Sequence, residues 1–365
     1  MKKVFIMTGE LSGDLLGAWY VRKQYAAGTQ DTYMEAIGGD HLQGAGAVLY
    51  QRFETLNVTG IVEIIKHIPR LLSFLNKLAA YIVAPQYDEV LVIDFPGFNV
   101  RLIKKLKKLS PSLKITYFSP PQLWCWGAWR LASLKKYCDQ IIVLYPFEVE
   151  WFHKRGVQVE WIGSPVYERM QPHFESAETK KNMIALVPGS RVSEITVLFP
   201  LFAQIALALK KVHPSVQFVI PQASSIPEDQ FRLNLDRSGL LGLGDALKIV
   251  RDDDKKWSIL AQCCMALSKP GTVTLELALL KIPASVIFKV PWLTYWIARM
   301  LVSVPFMSLP NLLLHDEVYK EFIQYFTSEQ LKQHALHLYQ SCVNQDQRYV
   351  STVHRLEGLR ERLNR

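Results

Sequence analysis

The stretch MIALVPGSRVSEITVLF, residues 183–199, decides the fold class that we predict for this chain. Its first five residues are apolar, a Pro-Gly-Ser turn follows, and apolar residues then recur at helical spacing. A short apolar strand that turns directly into a helix is the repeating unit of a parallel α/β sheet. The stretch EVLVIDFPGFN, residues 89–99, has the same order in the first half of the chain. We therefore predict two doubly wound, Rossmann-like α/β domains.

The domain boundaries follow from where this alternation stops. A polar, aperiodic stretch covers residues 164–182 and separates two alternating series. We predict a first domain over residues 1–165 and a second over 183–315. A helical tail over 316–365 is predicted to pack on the first domain or on a partner in a homodimer. Two such domains imply a cleft that holds a ligand beyond the carboxyl ends of the strands.

Composition limits the classes of partner. The chain has 365 residues, of which 49% are hydrophobic and 21% charged, and this balance excludes disorder as the main state. The net charge of +9 indicates an anionic partner such as a nucleotide, a nucleic acid or a membrane surface. No motif for reading nucleic acid accompanies the lysine clusters, so nucleic acid is disfavoured. None of the five cysteines forms a Cys-x-x-Cys pair, which suits a reducing cytosol and predicts no zinc ribbon.

The turn that follows the apolar run of residues 183–187 is a candidate phosphate site. Gly189 lets the backbone approach a phosphate, Ser190 opens a helix whose amino end attracts anions, and Arg191 adds a fixed cation. The alternative is an ordinary strand-to-helix turn that Ser190 caps.

A second turn of this kind is KPGTVTLE, residues 269–276. Gly271 and Thr272 open a helix after another apolar strand, so the two turns together are placed to hold both ends of a nucleotide diphosphate. Glu276 lies one helical turn further and is placed to reach a ribose diol. The alternative is an acid that complements the helix dipole.

Asp94 is the candidate base of the first domain. It ends an apolar strand, where a carboxylate faces the cleft and can take a proton from an attacking hydroxyl. The alternative is an aspartate that caps the following helix.

The loop GELSGD, residues 9–14, faces the same cleft but matches the dinucleotide pattern GxGxxG only loosely, which disfavours NAD or FAD. No metal-ligand pattern stands out among the scattered histidines.

Taken together, these segments resemble the lipid-A-disaccharide synthases, which are inverting glycosyltransferases of the GT-B type. The order and spacing of the matching stretches run almost end to end. Gly97 departs from the family, which usually has a second acid there, and Lys269-Pro270 replaces a small polar residue. The matching stretches are GELSGD (9–14), NVTGIVEII (57–65), IDFPGFN (93–99), SPPQLWCWG (119–127), LYPFE (144–148), IGSP (162–165), LVPGSR (186–191) with Glu194, GTVTLE (271–276) and SLPNLLL (308–314).

The resemblance implies a specific reaction without a metal or another cofactor. The sugar of UDP-2,3-diacylglucosamine passes with inversion to the 6-hydroxyl of 2,3-diacylglucosamine 1-phosphate (lipid X), and UDP is released. Asp94 is the implied base, because inversion needs one base on the acceptor. The implied UDP-binding residues are Gly189, Ser190, Arg191, Glu194, Gly271, Thr272, Glu276 and Asn311. The implied acceptor-side residues are Glu10, Ser12, Gly13, Asp14 and Asn99.

Acylated substrates imply contact with a membrane. The segment 61–83 carries an apolar helical stripe with basic flanks, typical of a helix in an anionic interface, although a core-packing helix is the commoner case. A second candidate is 292–304, which at about 1.5 Å per residue is too short to span a ~30 Å hydrocarbon core. We therefore expect a cytoplasmic protein that is peripheral on the anionic inner membrane. The predicted contact residues are Ile68, Leu71, Leu72, Phe74 and Leu75.

Two other functions share parts of this pattern. A UDP-GlcNAc 2-epimerase or another GT-B UDP-sugar enzyme would keep the nucleotide turns but has no reason for the amphipathic segment 61–83. An inactive, membrane-associated nucleotide-binding protein has no reason to retain Asp94, Arg191 and Glu276 together. The synthase is therefore the favoured interpretation.

Overall fold

The protein was analysed as a computed structural model that describes residues 1–26, 28, 31–56, 61–84, 87–177, 180–251, 253–302 and 304–364. At residues 55, 56, 61–68, 253 and 254 only the backbone is described. The chain divides into two compact units, Met1–Pro165 and Val166–Arg365. Each unit is built on its own parallel sheet, which confirms the predicted fold class.

The first unit has a seven-stranded sheet in the order β3-β2-β1-β4-β5-β6-β7, and all its strand pairs are parallel. Its strands are β1 Lys2–Met7, β2 Thr32–Gly38, β3 Val48–Arg52, β4 Glu89–Ile93, β5 Lys114–Phe118, β6 Gln140–Val143 and β7 Glu160–Trp161. Its helices are α1 Leu11–Ala26, α2 Asp40–Gly44, α3 Ile61–Val83, α4 Pro96–Leu109, α5 Leu131–Tyr137 and α6 Pro146–His153.

The second unit has a six-stranded parallel sheet in the order β10-β9-β8-β11-β12-β13. Its strands are β8 Lys181–Val187, β9 Gln217–Pro221, β10 Leu247–Val250, β11 Cys263–Ser268, β12 Ala284–Phe288 and β13 Lys320–Ile323. Its helices are α7 Pro165–Met170, which begins at the division, α8 Val192–Val212, α9 Glu228–Ser238, α10 Asp253–Leu260, α11 Thr272–Leu279, α12 Trp292–Leu301, α13 Leu309–Leu314, α14 Ser328–Asn344 and α15 Gln347–Leu363.

Strand β1 explains why the strands read as continuous apolar runs. Phe5 and Met7 belong to one core cluster of the first unit, whereas Val4 and Ile6 belong to another. Successive side chains of a strand point to opposite faces, so both faces of this sheet are covered. A strand covered on both faces is apolar at nearly every position, and for this reason the fold class could be predicted from apolar runs.

The strand orders place the candidate residues. In each sheet the order reverses next to the first strand of the unit, between β1 and β4 in the first and between β8 and β11 in the second. Ligands of open α/β sheets bind beyond the carboxyl ends of the strands at such a switch point. Glu10 and Asp94 follow β1 and β4, while Gly189 and Lys269 follow β8 and β11. Both candidate sites therefore lie at the switch point of their own sheet.

The tail helices belong to the second unit. Helix α14 packs on α8 and β11, and α15 packs on α11 and α13. Leu331, Ala335 and Tyr339 of α14 are buried in the same core as α8. The sequence prediction placed this tail on the first domain or on a partner. Its apolar residues instead pack against the earlier helices and strands of the second unit.

Helix α3 is a core helix over its second half. Leu75, Leu78 and Ile82 are buried in the core of the first unit. Leu75 is therefore not the surface contact that the sequence predicted. Leu72 is 45% exposed, and Leu71 and Phe74 are half-buried. The side chain of Ile68 and residues 57–60 of the matched segment lie outside the described part of the chain.

By length and apolar composition, one helix of the described chain could cross a membrane, and it is α8. Phe199, Phe202 and Leu209 on this helix are buried in the core of the second unit. Core helices pass the same test of length and composition, so this finding is weak evidence for a span.

Candidate active site

The turn between β8 and α8 is held in place by the carboxylate of Glu194, a residue in the first turn of α8. Glu194 accepts hydrogen bonds from the backbone N–H groups of Ser190 at 2.9 Å and Arg191 at 3.2 Å. We predicted that these N–H groups and the Glu194 carboxylate would face a nucleotide. In the structure Glu194 instead holds the first turn of the helix in shape. The Arg191 side chain is 78% exposed, with its guanidinium 3.9 Å from Glu194.

Glu194 also joins the two predicted phosphate turns. Lys269, at the end of β11, donates to the second oxygen of the Glu194 carboxylate at 2.5 Å. Lys269, which departs from the family pattern, is therefore engaged in an ion pair with the neighbouring turn. Gly189 leaves room for this pair, because a Cβ atom there would overlap both Glu194 Oε2 and Lys269 Cδ.

A cavity of about 420 Å³ opens at this edge of the second sheet. This volume lies in the range of small-ligand sites, and polar groups from two turns converge in it. The cavity is lined by the predicted residues Gly189, Ser190, Gly271, Thr272 and Glu276. The lining residues that sequence reasoning missed include Arg169, Gln222, Lys256 and Trp257.

Glu276 is a buried carboxylate in the wall of this cavity. It forms an ion pair with Arg169, which comes from α7 within the polar stretch 164–182 that separates the two alternating series. Burial raises the pKa of Glu276, and the charges of Arg169 and Lys256 partly offset that rise. A fixed arginine–carboxylate pair in a cavity wall is suited to orient a hydroxyl or an anionic group.

Asp94 sits on strained backbone at the end of β4. Its φ is 47°, and that of Phe95 is 44°, a left-handed conformation that is unfavourable for residues other than glycine. Asn99 donates to the Asp94 carbonyl at 2.8 Å, and the Tyr117 hydroxyl donates to the same carbonyl at 2.9 Å. These bonds hold the strained turn, and strain of this kind concentrates at functional sites. Asn99 is fully buried, so it positions Asp94 and does not line a binding surface.

The electrostatics of Asp94 suit a base near neutral pH. Burial, together with the negative charge of Glu10, raises the pKa of its carboxyl to about 6. The Phe95 N–H opposes this rise by bonding the carboxylate. A catalytic base works best when its pKa lies near the operating pH.

The remaining residues of the GELSGD loop divide into two kinds. Glu10 and Ser12 are exposed, so both stay candidates for the acceptor side. Asp14 is buried and accepts the N–H groups of Gly39, His41 and Leu42, so it caps α2 instead of facing an acceptor. Gly13 is buried against Thr8, and a Cβ atom added to Gly13 would lie 3.2 Å from the Thr8 Cβ atom. These two residues therefore serve the packing of α1 and α2.

Asn311 is not available to a nucleotide in this structure. It is fully buried, and its side-chain amide donates to the Tyr319 carbonyl and to Glu321. Its oxygen accepts the N–H groups of Val318 and Tyr319. Every hydrogen-bonding position of the side chain is thus used within the second unit.

The stretches SPPQLWCWG and LYPFE meet at a buried carboxyl group. Glu148 accepts hydrogen bonds from the Trp124 indole at 2.9 Å and from the N–H groups of Leu144 and Tyr145. Burial raises the pKa of Glu148 to about 7. Because these bonds lock the loop after β5 to the start of α6, we assign both stretches a structural role.

Across the described residues, no group of three or more His, Cys, Asp or Glu side chains is arranged to hold a metal ion. Two parallel α/β units, each with polar residues at the switch point of its sheet, are the two-domain architecture of the GT-B class. The chain belongs to the lipid-A-disaccharide synthetase family, whose family model matches residues 4–364. It is thus a glycosyltransferase of lipid A biosynthesis, as the sequence resemblance predicted.

Curated relatives support this membership. The lipid-A-disaccharide synthase of Trichlorobacter lovleyi is 33% identical over 331 residues, which cover 88% of this chain and 84% of the relative. The lipid-A-disaccharide synthase of Coxiella burnetii is 31% identical over 88% of this chain and 85% of its own length. The UDP-GlcNAc 2-epimerase alternative is not favoured by these relatives.

Solved structures support the fold. MurG of Acinetobacter baumannii superposes with a TM-score of 0.56 at 15% identity, covering the whole of this chain and 99% of that chain. The UDP-GlcNAc 2-epimerase of Neisseria meningitidis, solved with UDP-GlcNAc, gives a TM-score of 0.61 at 11% identity, covering 98% of this chain and 94% of that chain. At such identities the likeness shows a shared GT-B fold.

Proposed function

We propose that the enzyme transfers 2,3-diacylglucosamine from its UDP derivative to the 6-hydroxyl of lipid X, with inversion. The observation that carries this proposal is the state of Asp94 at the first switch point. Its backbone is strained, and the pKa of its carboxyl is about 6. Asp94 takes the proton of the attacking hydroxyl as the new bond to the sugar forms. A carboxylate that is already deprotonated at neutral pH can accept this proton without a metal-bound base.

The leaving group is proposed to bind in the cavity of the second unit. The bond to the sugar breaks as negative charge grows on the UDP diphosphate, and donors fixed before the reaction stabilise that charge. The Gly271–Thr272 turn, at the amino end of α11, lines this cavity and supplies such donors. Arg191, exposed on the turn before α8, is proposed to reach the diphosphate from outside the cavity wall. The pair of Glu276 and Arg169, which lines the cavity, is proposed to bind the ribose. Glu194 keeps the first turn in shape and does not itself bind the anion.

One incubation tests the proposal. Purified protein receives UDP-2,3-diacylglucosamine and lipid X in detergent micelles, and both UDP and the disaccharide 1-phosphate are quantified. We expect one UDP for each disaccharide. Epimerised UDP-GlcNAc in a parallel incubation would support the epimerase, and bound UDP without any product would support an inactive binding protein.

Peripheral attachment to the anionic cytoplasmic face of the inner membrane is part of the proposal. The acyl chains of both substrates reside in a bilayer, so the enzyme must reach them from its surface. Leu72, exposed on α3, and the half-buried Leu71 and Phe74 are the candidate contacts in the described part of this helix.

Gly189→Ala should weaken UDP binding about tenfold or more. The φ of Gly189 is 111°, and the added Cβ atom would collide with Glu194 Oε2 and Lys269 Cδ. Strain of about 1–3 kcal/mol would displace the turn that lines the cavity. Isothermal titration with UDP measures the effect, and Gly358→Ala, in an open helical position, is the control. Unchanged UDP affinity in Gly189→Ala would rule out this turn as a nucleotide contact.

Glu10→Gln should move the acid limb of the pH–rate profile to lower pH. The wild-type limb is expected near pH 6, because protonated Asp94 cannot act as the base and the pKa of its carboxyl is about 6. The Glu10 charge contributes to that pKa, so its removal lowers the pH at which Asp94 gains its proton. The profile of kcat/KM between pH 4.5 and 8 measures the shift, with Ser12→Ala as the control in the same loop. An acid limb that stays in place would contradict the coupling of Glu10 to Asp94.

A further inference from the structure

Helix α12 presents an apolar face to solvent. None of its residues is buried, and its large apolar side chains include Trp292 at 66% and Met300 at 77% exposure. At 3.6 residues per turn, the exposed apolar positions fall within about half of the helix circumference. Exposed contiguous apolar surface of this kind marks an interaction site. The exposed set is Trp292, Leu293, Trp296, Ile297, Met300 and Leu301.

The helix is fixed in this orientation by its other side. Gln324 accepts the Val290 N–H at 3.1 Å and donates to the Val290 carbonyl at 3.0 Å, just before the helix begins. Tyr295, on the half-buried side, stacks edge to face on Tyr325 with ring centroids 5.2 Å apart. The outward apolar face is therefore a built feature of the second unit.

The charged residues of the chain segment that contains the helix are of one sign. No Asp or Glu occurs in the sequence between Glu276 and Asp316, whereas Lys289 and Arg299 flank the apolar face. Anionic headgroups would neutralise these cations, and tryptophan favours the headgroup zone. A second copy on the same face would instead bring the cations of both copies into one interface, because such an interface uses the same surface patch twice. The ten residues of α12 reach about 15 Å, which suits a helix that lies in the interface.

The position of α12 links this face to the nucleotide cavity. Strands β8, β11 and β12 are parallel neighbours, so their carboxyl ends lie at one edge of the sheet. The turns after β8 and β11 line the cavity, and three residues separate the end of β12 from the start of α12. The apolar face and the proposed UDP site thus share one edge of one unit.

We propose that α12 is the bilayer-inserting surface of the donor-binding unit, with an anionic lipid membrane as its partner. The proposal rests on the proposed function, because it takes the donor to be a UDP-linked diacyl sugar. Insertion of α12 to headgroup depth lets the donor keep its acyl chains in the bilayer while its UDP enters the cavity. The second unit then binds lipid by itself, in addition to any contact through α3 of the first unit.

The test compares two triple variants of the full-length protein. Leu293→Ser/Ile297→Ser/Met300→Ser removes apolar surface from α12 and leaves Trp292 and Trp296. The control, Leu233→Ser/Leu241→Ser/Val343→Ser, changes exposed apolar side chains elsewhere in the unit. Co-sedimentation with phosphatidylglycerol/phosphatidylcholine vesicles measures partitioning. We expect at least a tenfold loss for the α12 variant and less than a twofold loss for the control.

Further readouts separate the possible failures. Turnover of detergent-dispersed substrates by the α12 variant should match that of the wild type, while turnover of vesicle-embedded donor should fall. Equal vesicle partitioning of the two triple variants would overturn the proposal. A dimer that the α12 substitutions convert to monomer, with vesicle binding unchanged, would assign the face to a second copy and overturn it as well. Absence of wild-type turnover in detergent would refute the proposed function, and partitioning would still test α12.

Discussion

Asp94→Asn should lower kcat by about 10²–10⁴-fold, the range expected for loss of a general base. The amide keeps the size of the side chain and leaves the Asp94 carbonyl bonded to Asn99 and Tyr117, so the strained turn should persist. The affinity for UDP should stay within threefold of the wild type, because the nucleotide cavity is built from residues of the second unit. Single-turnover kinetics and UDP titration measure the two quantities separately.

The same substitution should not destabilise the protein above pH 7. The carboxyl pKa of Asp94 is raised in the folded state, so the folded state holds a proton that the unfolded state has lost between about pH 4 and pH 6. The contribution of this group to stability therefore falls as pH rises through that window and is a net cost above it. Asn carries no such cost. We expect the thermal midpoint of Asp94→Asn at pH 8 to equal or exceed that of the wild type.

Asp40→Asn is the matched control in the first unit, because Asp40 is exposed and pairs with Arg52 at the surface. It should change neither kcat nor UDP affinity. Full turnover in Asp94→Asn would remove Asp94 from the mechanism. A parallel loss of turnover and thermal stability would show that the side chain serves the fold.

The fold was predictable because its signal is repeated and local. Strands such as β4 and β8 are buried on both faces, so each contains an unbroken apolar run, 90–93 and 183–187, that is followed by a glycine-containing turn. The switch points followed from the same runs, since the turns that the sequence singled out lie at the reversal of strand order. The amino-acid sequence alone therefore sufficed to place Asp94 and Gly189 at the carboxyl edges of their sheets.

The errors have a common physical origin. A polar residue in a family motif can face a ligand or satisfy buried backbone groups, and the sequence shows no difference between the two. Asp14, Asn99 and Glu194 all bond to backbone N–H or carbonyl groups of neighbouring turns. Arg169 was missed for the opposite reason, because it lies in a stretch without periodicity and gains its partner Glu276 only through the fold.

Asn311→Ala should lower the stability of the second unit by roughly 3–5 kcal/mol, since several buried groups lose their partner at once. The N–H groups of Val318 and Tyr319 and the Tyr319 carbonyl are bonded to this one side chain. For a unit of this size the midpoint of thermal unfolding should fall by about 10 °C. Differential scanning calorimetry measures the change, with the exposed Asn344→Ala as the control.

This prediction separates the structural role of Asn311 from the nucleotide contact that the family resemblance implies. At 10 °C, where the variant is folded, the UDP affinity of Asn311→Ala should stay within about threefold of the wild type. Asn311→Asp sharpens the distinction, because it keeps the two accepted bonds but sets a carboxylate 2.9 Å from the Glu321 oxygen. Repulsion between the two charges should make this variant less stable at pH 8 than at pH 5, where one carboxyl gains a proton. A nucleotide contact would instead lower UDP affinity in both variants and leave the unfolding midpoint without UDP unchanged.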